Sequence, residues 1–210
     1  MLTLAVPQIK TTARKRPRQE RAVATVEAIL EATRRVLVKH GYEKASTNRI
    51  ADVAGVSIGS LYQYFPNKQA LIAALIDTHC DEIMRVLSAR LAEFRDAEPR
   101  EAARAMVAAM IGIHQINPKM HKVLIEQVPA VGKLKRIREV AREIEALLVV
   151  WLEARSSEVR RENSELVAFL LVRSVEAVTH AAVIERPDEL GDELIDEITE
   201  MVARYTFIES

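Results

Sequence analysis

Hydroxyl, phenol, amide and amine groups crowd into one stretch of this chain, residues 45–68, ASTNRIADVAGVSIGSLYQYFPNK. Thr47, Ser57, Ser60, Tyr62, Gln63, Tyr64 and Lys68 can all donate hydrogen bonds. As a set they suit contacts to phosphate oxygens and to base edges. The stretch holds two short helical patterns separated by Gly55, the second rich in small and hydroxyl side chains beside two tyrosines. That layout lets a helix-turn-helix lay one helix across a DNA backbone and the next in the major groove.

Other chemistry finds little support. There is no phosphate-cradling glycine loop, no serine elbow and no paired histidine–glutamate motif, and six glycines allow few tight catalytic loops. No catalytic residue and no cofactor are expected. His79, Cys80 and Asp81 are contiguous, so on a helix they point apart and chelate poorly. His114 and His121 flank a proline break and can approach each other, yet no cysteine or acidic pair stands at ligand spacing. No metal is expected.

The elements that must position the donors read as helices throughout. Val26, Ile29, Leu30, Thr33, Val36 and Leu37 share one face of a first helix over residues 22–40, which Gly41 closes. Thr47 or Ser46 can cap the second helix, where Ile50, Ala51 and Ala54 face inward. Ser57 caps the third, Leu61 and Phe65 anchor it to the core, Pro66 ends it, and Asn67 can cap the fourth. Downstream, apolar residues recur every three or four positions, with breaks near Pro99, Pro118, Pro129 and Pro187. No run alternates for long enough to be a strand. The fold class is all-α, with about nine helices.

A net charge of zero conceals a split. Up to Lys68 there are twelve Lys and Arg against five Asp and Glu, a surplus of seven that the remainder cancels. A basic N-terminal third on an acidic remainder suits a polyanion-binding module attached to a scaffold that does not bind polyanions. Residues 1–21 read as a basic flexible arm, of the kind that can enter a minor groove. One cysteine cannot form an internal disulfide and fits a reducing cytoplasm. The early apolar patch of Leu2, Leu4, Ala5 and Val6 meets Pro7 and then basic residues, which argues against a signal peptide. No membrane span is expected, because the most apolar run, residues 166–184, contains Arg173 and Glu176.

A helix as apolar as that run must be covered on most sides. We expect it to form a four-helix bundle with the last helix and their copies in a second subunit. Leu170, Ser174, Ala177, Ala181, Leu194, Ile198, Val202 and Tyr205 are the expected dimer interface.

The chain resembles the TetR (tetracycline-repressor) family of transcriptional regulators. The resemblance lies in Ile29-Leu30, Gly41-Tyr42, Ser46-Thr47, Ile50-Ala51, Ala54-Gly55-Val56-Ser57, Gly59-Ser60-Leu61-Tyr62, Tyr64-Phe65, Lys68 and Leu71, spanning residues 23–74. It implies a helix-turn-helix DNA-binding domain over residues 22–68 and a helical effector-binding and dimerisation domain over residues 69–210. DNA contacts then fall to Thr47, Arg49, Ser57, Ile58, Gly59, Ser60, Tyr62, Gln63, Tyr64 and Lys68, with Tyr64 and Lys68 on phosphate. The resemblance also implies an effector pocket, for which Met84, Phe94, Met106, Met110, His114, Met120, Leu147 and Trp151 are the candidate lining. The implied partners are a double-stranded DNA operator, a second copy of the chain, and a small apolar or amphipathic effector. The implied function is a cytoplasmic repressor released by its effector. Activation or effector-free DNA organisation is the alternative, and a helical small-molecule-binding protein or enzyme the remote one.

Overall fold

The fold comes from a computed structural model that describes residues 20–127 and 130–208. The expected arm lies, up to residue 19, outside the described residues. The described residues form nine α-helices and one 3-10 turn, with an isolated Val159–Phe207 bridge and no strand. They divide into two compact units, one of residues 20–78, 123–127 and 130–134, the other of residues 79–122 and 135–208.

In the first unit, α1 (Glu20–Lys44), α2 (Thr47–Ala54), α3 (Ile58–Tyr64) and the opening of α4 (Lys68–Glu93) surround one core. Ile29, Val36, Leu37, Ile50, Leu61, Phe65, Leu71 and Ile72 are all buried there. Thr33 joins them because its hydroxyl donates to the Ile29 carbonyl at 2.7 Å, so no polar group is stranded. Gly41 interrupts α1 as expected, but the chain resumes helical geometry as far as Lys44. Its φ of 71° and ψ of 172° belong to a backbone region that is essentially glycine's alone. Ser46, rather than Thr47, caps α2, accepting from the Arg49 backbone N–H at 3.3 Å. Gly55 turns the chain in the left-handed conformation, with φ 68° and ψ 29°.

In the second unit, α5 (Pro99–Gln115) packs on α8 (Ser164–Glu185) and α9 (Asp192–Thr206). Two ion-pair sets tie α5 to α9: Arg104 to Asp192 and Asp196, and Arg100 to Glu200. α6 (Pro118–Gln127), which Asn117 caps, starts in this unit and ends in the first, and α7 (Leu134–Glu153) belongs to this unit from Lys135 on. The last helix starts at Asp192 and not at residue 189, because Pro187–Glu189 wind as a 3-10 turn.

By length and composition alone α8 could cross a membrane. Arg173 within it reaches Glu145 on α7 at 3.1 Å and Glu176 at 3.2 Å. One face of α8 (Val167, Ala168, Leu171, Val172, Thr179, Ala182, Val183) is buried in its own unit. On the other face Leu166, Phe169, Leu170 and Val178 are exposed.

Candidate nucleic-acid interface, apolar cavity and histidine cluster

The α2–turn–α3 segment is held from beneath. Ile50, Ala51, Leu61 and Phe65 are buried, so the opposite surface of both helices is turned outward. That outward surface carries Arg49, Ser57, Ile58, Gly59, Tyr62 and Gln63, all exposed. Thr47, Ser60, Tyr64 and Lys68 lie among them half-buried. Ser57 caps α3 with its oxygen 3.0 Å from the Ser60 backbone N, and the two serine hydroxyls meet at 2.8 Å. Thr47, free of any capping duty, shares a 3.1 Å hydrogen bond with the Tyr62 hydroxyl, joining the start of α2 to the middle of α3. All ten expected DNA-contacting residues therefore belong to one unit and cluster around α2, α3 and the start of α4.

Two of the basic groups are positioned by the end of α1. Lys68 donates to the Tyr42 carbonyl at 2.9 Å and lies 3.9 Å over the Tyr42 ring. Arg49 donates to the Lys44 carbonyl at 2.7 Å. Cations at these carbonyls complement the negative end of the helix and also concentrate positive charge beside α3. The sequence pattern did not indicate this docking, which depends on the break at Gly41 bringing Tyr42 round.

In the second unit a cavity of about 100 Å³ is lined by Leu87, Leu91, Met106, Val107, Met110, Ile144, Leu147, Trp151, Leu171, Val202, Phe207 and their neighbours. Four expected lining residues meet there: Met106, Met110, Leu147 and Trp151. Met84, Phe94, His114 and Met120 do not line it. Phe94 packs against the core beside it, and His114, one turn beyond Met110, faces other histidines. The Trp151 indole N–H and the Thr206 hydroxyl border the cavity, buried and without a hydrogen-bond partner in the protein. Val202, expected at a dimer interface, lines this cavity, and Ile198 is buried in the same core. Both lie on the face of α9 that meets α5. Leu170, Ala177 and Ala181 remain exposed on α8, while Ser174, Leu194 and Tyr205 are half-buried.

Four histidines from four helices converge in this unit. His79 (α4), His114 (end of α5), His121 (α6) and His180 (α8) stack edge to face or tilted, with ring centroids 4.1 to 5.5 Å apart. His114 and His121 are almost fully buried. Desolvation pushes His114 and His180 down to about 4 and depresses His121 further, with the neighbouring imidazoles adding to each shift. All three are neutral at pH 7. One nitrogen each of His79, His114 and His121 lies within 4.8 Å of the others, a grouping able to hold a metal ion. The proline break between them already lets His114 and His121 approach each other. That His79 and His180 join them is not legible in the sequence, because neither spacing nor composition relates four separate helices.

Residues 98–205 match the family described as Tetracyclin repressor-like, C-terminal domain, and residues 29–75 match Bacterial regulatory proteins, tetR family. Among curated relatives, the transcriptional activator FasR of Mycolicibacterium smegmatis is 33% identical over 110 residues, 52% of this chain and 48% of that one. YvkB of Bacillus subtilis, an uncharacterized HTH-type transcriptional regulator, is 42% identical over 55 residues, covering 26% and 29%. The nucleoid occlusion factor SlmA of Escherichia coli is 28% identical over 131 residues, covering 60% and 62%. The match thus spans less than two thirds of the length of each of these relatives. Among solved structures, a TetR-family regulator from Mesorhizobium loti superposes with a TM-score of 0.73 at 15% identity, covering 90% of this chain and all of that one. The SmeT–triclosan complex superposes with a TM-score of 0.66 at 20% identity, covering 89% and 93%.

Proposed function

The chain belongs to the TetR family of DNA-binding transcriptional regulators, and on that premise we propose that it binds a palindromic operator as a homodimer, represses transcription there, and leaves when a small apolar or amphipathic effector binds. The observation that carries the reading is the outward surface of α3, where Ile58, Gly59, Tyr62 and Gln63 are exposed while Leu61 and Phe65 hold the helix down.

The division of labour follows the chemistry of each side chain. Ser57, Ile58, Ser60, Tyr62 and Gln63 read base edges, Gln63 through an adenine and Ile58 through a thymine methyl. Thr47, Arg49, Tyr64 and Lys68 contact phosphate and fix register. Residues 22–68 serve DNA, with residues 1–21 as a basic arm, and residues 69–210 serve effector binding and dimerisation. The exposed face of α8, around Leu166, Phe169, Leu170, Ala177, Val178 and Ala181, suits pairing with a second copy.

The 100 Å³ cavity supports the effector reading. It is smaller than the roughly 150 Å³ that accommodates benzene, so an effector must displace side chains on entry. Met106 and Met110 are suited to yield. An acceptor group on the effector would satisfy the Trp151 N–H. The reading includes no catalytic step, and its compartment is the cytoplasm, where the chromosome lies. SlmA and FasR carry the alternatives of DNA organisation and activation, which a promoter reporter separates from repression.

Titration of an operator fragment across salt concentrations tests the contact assignments. Lys68→Ala should weaken binding to every sequence and reduce the slope of log K against log salt by about one per protomer. Gln63→Ala should leave that slope unchanged and relax preference at one base pair of each half-site by about 1–3 kcal/mol. An unchanged slope for Lys68→Ala would remove that residue from the phosphate contacts.

A further inference from the structure

None of the four clustered histidines lines the apolar cavity, and none is among the residues assigned to DNA. We propose that His79, His114 and His121, with His180 beside them, form a binding site for one divalent transition-metal ion of the zinc, cobalt and nickel group, held by imidazole nitrogens.

The geometry is that of a ligand set lacking only contraction. The three nitrogens lie within 4.8 Å of one another, and two nitrogens on a tetrahedral zinc ion stand roughly 3.3 Å apart, given bonds of about 2.0–2.1 Å. Small rotations about the side-chain torsions of three residues close that difference. His114 is already oriented: its Nδ1 lies 2.6 Å from the Met110 carbonyl, so that nitrogen carries the proton. Its Nε2 is left with a lone pair, buried and bonded to no protein group. A carbonyl that fixes the tautomer of a histidine in this way is the usual support behind a metal ligand. His121 is 4% exposed, and neither of its nitrogens meets a hydrogen-bond partner in the protein. Burying such a ring without partners is costly, and a metal–nitrogen bond removes the cost.

The chemistry of the cluster favours a cation over an anionic organic ligand. An anion needs donors or positive charge. The cluster holds no lysine or arginine, and the N–H of His114 is already spent on Met110. The lone pair on the His114 Nε2 is turned into the cluster. Imidazole sets of this kind suit zinc, nickel, copper and cobalt and not the hard cations that prefer oxygen. Half-buried His79 offers a route in from solvent. An ion here would tie together α4, α5 and α6, and α4 is the helix that opens at Lys68.

The test uses the untagged full chain, stripped with chelator and titrated with Co²⁺ and then Zn²⁺. One ion should bind per chain, Co²⁺ should give the intense visible absorption of a tetrahedral nitrogen site, and Zn²⁺ should displace it. Zn²⁺ should also raise the melting temperature of the wild type. His79→Ala and His121→Ala should each weaken binding at least about tenfold, whereas His40→Ala, on α1, should match wild type. Imidazole NMR of the wild-type protein decides without any variant, since Zn²⁺ must shift the buried resonances. Unshifted resonances, absence of one-to-one binding, or full affinity in the His114→Ala/His121→Ala double variant would overturn the proposal. So would a shift of the same resonances by a medium-chain carboxylate and not by Zn²⁺. None of these outcomes depends on operator binding.

Discussion

At Gly59 the protein itself makes no demand for glycine. Its φ is not positive, and an added Cβ would meet nothing nearer than the Ser57 hydroxyl at 3.8 Å, an ordinary contact. Any need for a bare backbone there comes from outside the chain, as it would if DNA approached α3 closely. Gly59→Ala should therefore leave stability unchanged or raise it by up to about 1 kcal/mol through helix propensity, while lowering operator affinity. Thermal melting and a binding titration on the same preparation check both halves; equal operator affinity would refute the close approach. Gly41 behaves in the opposite way, since its φ of 71° is imposed by the fold whatever the surrounding space. Lys68 and Arg49 show a residue-scale feature that sequence could not supply. Their types suggested phosphate contacts, but their docking on the Tyr42 and Lys44 carbonyls depends on a bend whose angle no residue type encodes.

Among the elements, α8 is the one whose sequence asks for more cover than its own chain supplies. Its buried face belongs to the core with α5 and α9, and its other face presents Leu166, Phe169, Leu170 and Val178 to solvent. Ala181 lies on that outer face, so Ala181→Glu should change the stability of a single chain by no more than about 0.5 kcal/mol. Across a close helix pair the same glutamate would bury an unpaired charge, and sedimentation at micromolar concentration should then show monomer where wild type shows dimer. A variant that remains dimeric would move the interface elsewhere. Helix boundaries were largely legible, because Gly41, Gly55, Ser57, Pro66, Asn67 and Asn117-Pro118 each carry a local signal for a stop or a cap. Which face of α9 would be inward was not legible. Leu194, Ile198, Val202 and Tyr205 form one apolar stripe, and only packing against α5 assigns Ile198 and Val202 to their own core.

For the whole molecule, acid should act through the histidine cluster. In the metal-free fold desolvation by burial holds His114 and His180 down at about 4, below the 6.5 of an unfolded histidine, with His180 adding to the shift of His114 and His79 to that of His180. Between those values the unfolded chain takes up protons that the folded chain does not, so stability present above about pH 6.5 declines as pH falls toward 4. Denaturant unfolding in the presence of chelator should register a loss on the order of a few kcal/mol across that window; a flat profile would contradict the burial of these rings. The cluster also marks the limit of a sequence reading. Local patterns located α2 and α3 because their chemistry lies within one contiguous stretch, whereas the histidines and the cavity join residues that only tertiary packing brings together. The central claim, sequence-specific operator binding through α3, is tested most directly by letting the purified protein select fragments of its source genome, with Tyr64→Ala in parallel. Recovery of a palindrome by the wild type alone is the predicted result. Equal recovery by both proteins, without sequence preference, would contradict it.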